Sequence, residues 1–290
     1  MPEGPEIRRA RDELAAAIEG QVADRVTFHL PALASWNGRF DGERILSVSS
    51  RGKAMLTHFS NGYSIYSHNQ LYGRWLVSEP DEPPDARRQL RLAIHTSNSS
   101  ALLYSASDIG VWLTGELHQH PFLKKLGPDV LDETLDGDAV CARLRSARFY
   151  RRQLGAFLTD QSFVAGLGNY LRCEILFASG LHPRQRPCDL SGSQLAGLAW
   201  RIVALPRQSY ETGGITNEPD RAKRLMDSGS SFEQARFQVF RRAGESCYRC
   251  GDVLVQEKQC GQPCYLCPGC QTCCPVISVR RRSPWSCPLR

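Results

Sequence analysis

The sequence predicts an α+β fold in which a strand-rich first part is followed by helices and then by a small cysteine-rich module. Residues 21–115 contain short apolar segments separated by turn residues, which is typical of a β-sandwich or barrel. From about Asp132 onward, the apolar positions follow a helical period instead. Nine of the twelve cysteines lie between Cys247 and Cys287, which indicates a separate module at that end.

The chain begins with a predicted helix over residues 5–19. Pro5 suits the first helical position, Gly20 suits the stop, and Ile7 and Leu14 fall on one face. The strands that follow are bounded by Asn-Gly, Pro-rich or Ser-Asn turns. They are expected at residues 44–50, 54–58, 63–67, 74–77, 89–95 and 101–105.

The second part of the chain is expected to be helical, with the helices separated by glycine- and proline-containing loops. The segment 211–235 is rich in glycine, serine and charge, and it is interpreted as a mobile connection. The expected helices are 135–145, 152–161, 170–178 and 191–203. The expected organisation is a first domain 1–118, a linker 119–128, a helical domain 129–236, a cysteine module 237–271 and a basic tail 272–290.

The positive charge of the protein is concentrated near its end. The net charge is +6, but residues 221–290 carry +7 and residues 1–220 carry −1. This distribution favours a polyanionic partner. The sequence starts without a secretory signal pattern, and no apolar run reaches the ~18 residues that span a membrane. We therefore expect no membrane partner, and thiols or metal ligands rather than disulfides.

The cysteine spacing predicts a structural Zn²⁺ site. Cys247-x₂-Cys250 and Cys267-x₂-Cys270 are separated by sixteen residues, and two such pairs can place four thiolates tetrahedrally around one ion. A cluster of free thiols is the alternative. The choice of the second pair also stays open, because cysteines recur here at every third residue. These are Cys264, Cys267, Cys270 and Cys273.

The first residues of the chain form a second candidate site. A small residue after Met1 permits removal of the methionine, which leaves Pro2 as a secondary amine that can form an iminium with an opened sugar. An α-amine titrates near ~8 and a lysine near ~10.4, so the former is more often unprotonated. Glu3 and Glu6 lie within one helical turn and are candidate acid/base groups. Alternatively, both are acids favoured by the helix dipole.

Several motifs together give the chain a specific resemblance. The sequence resembles the formamidopyrimidine-DNA glycosylase/endonuclease VIII family, most closely its bacterial endonuclease VIII branch, from Pro2 to about Gln271. The motifs are the residues 2–6 (PEGPE), 51–53 (RGK), 66–73 (YSHNQLYG), 120–123 (HPFL), 126–129 (LGPD) and 166–172 (GLGNYLR), followed by the cysteine spacing above.

The resemblance implies an N-terminal β-sandwich domain with a first helix, then a helical domain with a helix–two-turn–helix motif and a β-hairpin zinc finger. It implies a bifunctional DNA glycosylase and AP lyase that removes oxidised pyrimidines from double-stranded DNA, or acts at abasic sites. It also implies one structural Zn²⁺, a monomer and a location in the bacterial cytoplasm at the nucleoid. Two alternatives remain: a preference for oxidised purines, and a zinc-finger DNA-binding protein with impaired catalysis.

The resemblance also assigns catalytic roles. Pro2 is the expected nucleophile and Glu3 the expected proton donor. Lys53 is expected to assist β-elimination, although by sequence alone it would be a solvated surface lysine. Glu6 and Glu174 are further active-site candidates, and as an isolated helical residue Glu174 would lie on the surface.

The DNA-binding residues implied by the resemblance lie in four segments, the last of which is the finger position occupied by Gln262. Gln70, Leu71 and Tyr72 match a wedge that fills the space of an everted nucleotide, and plain hairpin packing is the alternative. Lys125 is expected to contact DNA. Asn169 opens a helix after a glycine-rich loop and is expected to help bind phosphate, although helix entry alone also explains the pattern.

The finger departs from the family at one functional position. Where the family has an arginine before Pro-Phe, this chain has Gln262-Pro263-Cys264. The family arginine binds phosphate and is the assigned donor for δ-elimination, and a neutral amide cannot replace its charged fork. We therefore expect β-elimination without efficient δ-elimination. The tail, with arginines at 280–282, has no counterpart and is expected either to add DNA affinity or to form a disordered end.

Overall fold

The computed structural model describes residues 2–80 and 87–272. The expected tail with its three arginines and the possible ligand Cys273 lie outside the described residues. No helix among the residues described is both long and apolar enough to cross a membrane.

The N-terminal part is a sandwich of two four-stranded antiparallel sheets, as the sequence predicted. Eight strands form it: β1 (Arg25–Phe28), β2 (Ile45–Arg51), β3 (Ala54–Phe59), β4 (Tyr63–His68), β5 (Arg74–Ser78), β6 (Leu90–His95), β7 (Ser100–Tyr104) and β8 (Asp108–Leu113). One sheet has the order β1-β6-β7-β5 and the other β2-β3-β4-β8. The six expected strands are present within about one residue at each end, and β1 and β8 fall in the region expected to be strand-rich.

The sandwich closes around one apolar core to which both sheets and the first helix contribute. The first helix, α1 (Gly4–Ile18), buries Ile7, Leu14 and Ile18 on one face, as its periodicity predicted. Phe28 and Leu92 reach the same core from one sheet, and sheet β2-β3-β4-β8 contributes apolar side chains of its own. Helix α1 also packs against the long helix of the second part, so its N-terminal end lies between the two halves of the molecule.

The second part is helical, and it has its own apolar core. Its helices are α2 (Gly137–Arg145), α3 (Leu154–Phe157), α4 (Asn169–Ala178), α5 (Gly192–Glu211), α6 (Pro219–Asp227) and α7 (Phe232–Ala235). Between the two halves, the expected linker contains a short 3₁₀ helix, Leu123–Lys125, whose Leu123 is buried against the second sheet.

Two expectations for this part were wrong. The expected helix 152–161 is helical only over α3, because Asp160 forms a turn of its own. Its carboxylate accepts hydrogen bonds from the backbone and hydroxyl of Ser162 and from Arg152, which compete with helix continuation. The expected mobile connection 211–235 instead contains α6 and α7. It is closed by the buried Asn217, whose side chain donates to the carbonyl of Ala235.

The final module is a β-hairpin that packs on helix α4. Its strands are β9 (Val255–Gln259) and β10 (Gln262–Leu266), paired in antiparallel register. Phe177 of α4, Val239 and Leu254 form a small core beneath the hairpin. This contact fixes the hairpin against the same helix whose N-terminal end faces α1.

Candidate active site

A cavity of about 860 Å³ lies where the sandwich, the helical part and the hairpin meet. Several segments that are distant in sequence contribute to its lining. They include the start of α1 (Pro2, Glu3, Glu6), the β2–β3 turn (Lys53), the entry to α4 (Gly168, Asn169, Tyr170) and the residues around β10 and the segment after α7 (Arg236, Phe237, Phe240, Gln262, Pro263, Tyr265). Residues that are distant in sequence therefore share one cavity.

The beginning of the chain is held in place by the backbone of the helical part. The amide of Gly4 donates to the carbonyl of Gly166 at 2.8 Å. The Glu3 carboxylate accepts hydrogen bonds from the amides of Tyr170 (2.7 Å) and Leu171 (3.3 Å), the first donors of α4. A side chain at Gly168 would place its Cβ 2.3 Å from Cδ of Glu3, so this close approach requires glycine. Pro2 is partly buried at the edge of the cavity.

Glu3 can exist in either protonation state near neutral pH. Burial raises its pKa to about 7, Lys53 and the amides of Tyr170 and Leu171 oppose this rise, and Glu6 adds to it. The carboxyl group is only 3% exposed. A carboxylic acid with a pKa in this range can donate a proton and take it back at physiological pH.

Lys53 is buried rather than solvated, which contradicts the surface alternative. It follows Gly52 in the tight turn between β2 and β3, and it is 7% exposed. Burial lowers the pKa of its ammonium group, and the charges of Glu3 and Glu6 partly restore it. A buried lysine whose pKa is lowered lies beside a buried acid whose pKa is raised, an arrangement that is concentrated at functional sites.

Glu6 lines the cavity, but its oxygens already have partners. They accept hydrogen bonds from the Glu3 amide (3.0 Å), the Tyr170 hydroxyl (3.1 and 3.2 Å) and Arg236 (3.3 Å). Arg236 also packs over the ring of Phe237, with its guanidinium carbon 4.4 Å from the ring centroid. Through these hydrogen bonds, Glu6 holds Arg236 and Tyr170 in position along the wall of the cavity.

The structure does not bring Glu174 to the cavity, so its expected catalytic position is corrected. Neither is it on the surface: it is fully buried on α4. Its carboxylate accepts hydrogen bonds from the amides of Gln238, Val239 and Phe240 and from the hydroxyl of Thr216. A carboxylate with four donors fixes this backbone segment, and the cavity residue Phe240 belongs to it.

The predicted wedge residues project from the loop between β4 and β5. Leu71 is 57% exposed and Tyr72 is 74% exposed, so they are not packed as an ordinary hairpin would be. Leu71 lines the cavity, and Gln70 has a positive φ of 52°. The amide of Gly73 donates to the carbonyl of Asn69, which closes the turn that carries the exposed apolar side chains.

Asn169 is connected to the finger through a residue that sequence reasoning missed. Arg172 is fully buried, and it donates to the Asn169 side chain and to the carbonyls of Gly155 (3.0 Å) and Pro263 (3.2 Å). Its guanidinium therefore holds the entry of α4 against β10. An arginine within an otherwise apolar helical stretch was the available signal. Gln262, beside Pro263, is exposed on the finger side of the cavity.

Lys125 lies outside this cavity. It is exposed and lines two neighbouring clefts, one of which also contains Gln161, a residue that lines the active-site cavity too. The structure therefore separates Lys125 from the other predicted DNA-binding residues but keeps it on a connected surface.

Four thiols form a candidate metal centre at the base of the finger. The sulfur atoms of Cys247, Cys250, Cys267 and Cys270 all lie within 4.8 Å of one another, so they could hold one metal ion. Cys264 is not part of this group, because its Sγ faces Cys173 on α4 at 3.9 Å. The second pair of ligands among the described residues is therefore Cys267 and Cys270.

Comparisons with known proteins agree with this geometry. Residues 1–107 match the formamidopyrimidine-DNA glycosylase N-terminal domain, and residues 126–219 match the H2TH domain of the same proteins. The chain is 46% identical to endonuclease 8 of Klebsiella pneumoniae subsp. pneumoniae and 48% identical to that of Escherichia coli O17:K52:H18. In each case, 271 residues align, covering 93% of this chain and 100% of the relative.

Solved structures share the fold. The chain superposes with a TM-score of 0.78 and 23% identity on Lactococcus lactis formamidopyrimidine-DNA glycosylase bound to DNA containing an AP site. The match covers 93% of this chain and 99% of the other. A complex of the same enzyme with DNA containing an oxidised pyrimidine gives the same TM-score and identity.

Proposed function

Because the chain belongs to the formamidopyrimidine-DNA glycosylase/endonuclease VIII family, we propose that it excises oxidised pyrimidines from duplex DNA and then cuts the strand by β-elimination. The observation that carries this proposal is the group formed by Pro2, Glu3 and Lys53. Once Met1 is removed, this group would bring a terminal imino nitrogen together with an acid whose pKa is about 7 and a buried lysine, in a cavity large enough for a nucleotide.

Recognition begins with eversion of the damaged nucleotide. Exposed Leu71 and Tyr72 can enter the space that the nucleotide leaves, which offsets part of the few kcal/mol of lost stacking. The everted base meets the partly exposed rings of Phe240 and Tyr265 in the cavity, which can stack on it. The proposed preference for oxidised pyrimidines rests on the resemblance to the endonuclease VIII branch, to members of which the chain is 46% and 48% identical.

Covalent chemistry follows once Met1 is removed. The nitrogen of Pro2 forms a bond to C1′, the bond from C1′ to the base breaks, and the proton of the Pro2 nitrogen passes to the departing base. Protonated Glu3 donates its proton to the sugar ring oxygen, so the ring opens and an iminium forms. The carboxylate that Glu3 has become then takes a proton from C2′, and the bond between C3′ and its oxygen breaks, so the strand on the 3′ side leaves with its phosphate. Buried Lys53 assists this elimination by holding positive charge near the phosphate.

Elimination is expected to stop after the first cut. Gln262 occupies the finger side of the cavity and has no charge with which to hold the second phosphate or to protonate it. Water then hydrolyses the conjugated iminium, which frees Pro2 and leaves an unsaturated aldehyde at the 3′ end of the product.

The four-cysteine group fits Zn²⁺ in a structural role. A tetrahedral ion with Zn–S bonds of about 2.3 Å keeps its sulfur atoms roughly 3.8 Å apart. Cys247 and Cys270 are 3.8 Å apart, and Cys250 and Cys267 are 3.3 Å apart. All four ligands are thiols, with no position left for a substrate, so the ion would stabilise the hairpin that carries Gln262. We further propose that the protein acts as a monomer in the bacterial cytoplasm, at the nucleoid.

Borohydride trapping tests the proposal. Protein incubated with abasic duplex DNA and borohydride should give a covalent adduct that peptide mass spectrometry locates at Pro2, and a variant extended by residues before Pro2, which has no amine at this position, should lose it. An adduct at a lysine, or cleavage by protein that retains Met1, would contradict the mechanism. Binding without an adduct would favour a DNA-binding protein with impaired catalysis.

A lesion panel tests the substrate class separately. Duplexes with thymine glycol should be cut faster than duplexes with 8-oxoguanine when enzyme is in excess. The reverse order would indicate an enzyme specific for oxidised purines with the same chemistry.

A further inference from the structure

Cys264 lies in β10 at a position that the proposed chemistry does not use. It belongs to the series of cysteines at every third residue, yet it is not one of the four thiols of the candidate metal centre. It also stands where the family has a phenylalanine. Any role of this thiol must therefore come from what it contacts in the folded chain.

A second thiol faces Cys264 across the contact between the finger and helix α4. The Sγ atoms of Cys173 and Cys264 are 3.9 Å apart, and the Cys173 thiol donates toward Cys264. Both side chains are buried, with exposures of 0% and 1%. In the part of the chain that the structure describes, no other two cysteines outside the metal centre form such a contact. We call this pair the interface thiols.

Secondary structure holds the interface thiols together from both sides. Alternation along β10 buries Cys264 and Leu266 on the face that packs against α4. Cys173 and Phe177 are one turn apart on α4, and both belong to the small core beneath the hairpin. The amide of Tyr265 donates to Sγ of Cys173 at 3.4 Å. The thiols meet because the hairpin packs on the helix, so their contact is part of the fold.

A buried cation lies next to the interface thiols. Arg172 precedes Cys173, and its guanidinium donates to the carbonyl of Pro263, the residue before Cys264, at 3.2 Å. Among the described residues, the acceptors of this guanidinium are neutral groups, so its charge is not cancelled by them. A thiol in apolar surroundings is usually inert, whereas a nearby cation favours the thiolate, which is the reactive form of cysteine.

We propose that Cys173 and Cys264 are an oxidation site, at which hydrogen peroxide converts the interface thiols into a disulfide between α4 and the finger. The sulfur atoms are already in contact, so side-chain rotation and a small approach of β10 toward α4 can bring them to the bond length of about 2.05 Å. Because β10 belongs to a two-stranded sheet, local opening of the hairpin can admit peroxide, a molecule little larger than water.

The reaction takes place in two steps. Cys264 loses its proton and its sulfur attacks one oxygen of peroxide; the O–O bond breaks, and the displaced hydroxide takes up a proton as water, which leaves a sulfenic acid. The sulfur of Cys173 then attacks the sulfur of Cys264, the S–O bond breaks, and the hydroxyl leaves with the Cys173 proton as a second water. The two sulfurs together lose two electrons, which peroxide accepts.

The disulfide fixes the finger wall of the active-site cavity. Cys264 lies between Pro263 and Tyr265, which both line the cavity, and Cys173 lies one turn after Asn169 at the entry of α4. The bond joins residues 91 positions apart, so it holds β10 on α4 independently of the metal centre. This inference does not depend on the proposed function, because neither DNA nor the N-terminal amine takes part.

Peptide mapping of zinc-loaded protein treated with hydrogen peroxide tests the proposal. Remaining thiols are alkylated in denaturant, and the protein is digested with trypsin and chymotrypsin. Cleavage after Lys258 and Tyr265 leaves Cys264 on a peptide that contains Cys260 but none of the four metal-centre cysteines, and Cys173 is alone on its peptide. The two peptides should be found joined, with a mass two hydrogens below their sum, and dithiothreitol should separate them.

Matched serine variants identify the bonded cysteine of the hairpin. Cys260→Ser should retain the joined peptides and Cys264→Ser should lose them, although both variants replace one thiol of the same hairpin by a hydroxyl. A bond from Cys173 to Cys260 would overturn the proposal. So would disulfides confined to the metal centre, or complete alkylation of both interface thiols after peroxide has oxidised other cysteines.

Thermal melting measures the effect of the bond on the fold. Peroxide should raise the melting temperature of the wild type and of Cys260→Ser by roughly 5 °C, since a cross-link restricts the unfolded chain. Dithiothreitol should reverse the rise, and Cys264→Ser should show none. An equal rise in all three proteins would assign the effect to other cysteines. A joined pair of peptides without any rise would contradict a bond that holds the finger on α4.

Discussion

The two walls of the active-site cavity differ in how they carry charge. On the sandwich wall, Glu3 and Lys53 are almost fully buried, and burial moves the pKa of each toward neutrality. On the finger wall, Gln262 is exposed and uncharged. The first wall is built to move protons, and β10 presents a neutral amide at Gln262, although Arg236 and Arg241 also line the cavity. We therefore propose that sugar opening is retained and that the second elimination step is inefficient.

The largest effect is expected from Glu3→Gln, which removes the acid of the sandwich wall. Base release from a thymine glycol duplex should fall by roughly 10²- to 10⁴-fold, because an amide cannot supply the proton. Glu6→Gln makes the same change in charge at a carboxylate already held by Tyr170 and Arg236, and its effect should be clearly smaller. If single-turnover assays show a similar loss of base release in both variants, Glu3 is not the proton donor.

Loss of the metal should have the next largest effect, and it should alter only the finger wall of the cavity. Cys250→Ser should abolish stoichiometric zinc binding and lower affinity for abasic-analogue DNA by at least about tenfold, because folding of such hairpins depends on the ion. Cys260→Ser is the control, since Cys260 is exposed in the same hairpin and lies outside the four-thiol group. Zinc content and anisotropy measure the two effects. Tight binding by metal-free protein would contradict the structural role.

The pH dependence of stability isolates the buried acid. The pKa of Glu3 is raised from 4.5 to about 7 on folding, so between these values the folded state holds more protons and stability falls as pH rises. Glu3→Gln lacks this titration. Between pH 5 and pH 8, the wild type should lose about 2 kcal/mol of unfolding free energy relative to the variant. Urea titrations at both pH values measure it, and parallel curves would mean that Glu3 is not buried as an acid.

Gln262→Arg is expected to have the smallest effect on affinity. It is also the most specific test of the difference between the two walls of the cavity. One new phosphate contact should steepen the salt slope by about 0.9 and shift some product from the unsaturated aldehyde to a 3′ phosphate end. Gln256→Arg adds the same charge to an exposed position on β9 outside the cavity, and its product should not change. Denaturing gels resolve the two ends. If Gln262→Arg gives an unchanged product, Gln262 is not what prevents the second elimination step.

Local signals in the sequence were sufficient for most of the fold. Helix α1, the strands between Asn-Gly or Pro-rich turns and the finger spacing all depend on neighbouring residues, and the structure confirms them. The helix predicted at 152–161 was wrong, because the side chain of Asp160 accepts hydrogen bonds within its own turn in place of helical backbone bonds. The mobile connection predicted at 211–235 was wrong, because the buried side chain of Asn217 orders the segment by hydrogen bonds to the Ala235 carbonyl and the Glu218 amide.

The cavity was predictable only in part, for a physical reason. Pro2, Glu3 and Lys53 could be selected from their motifs, and the structure places them together. Burial of Lys53 depends on the helical part lying against the β2–β3 turn, which no local pattern encodes. The contacts of Arg172 with Pro263 and of Cys173 with Cys264 each join residues about ninety positions apart. Such contacts form only in the folded chain, so they cannot be predicted from a local pattern.

The absence of a side chain at residue 168 restricts how this gene can vary. Every amino acid that a missense change can introduce there brings a Cβ, which would displace the Glu3 carboxylate from the two amides that hold it. Such alleles would yield intact protein with its finger unaltered, yet deficient in excision. A genetic screen for mutants that occupy damaged DNA without processing it should therefore recover codon 168, although glycine takes no part in the chemistry.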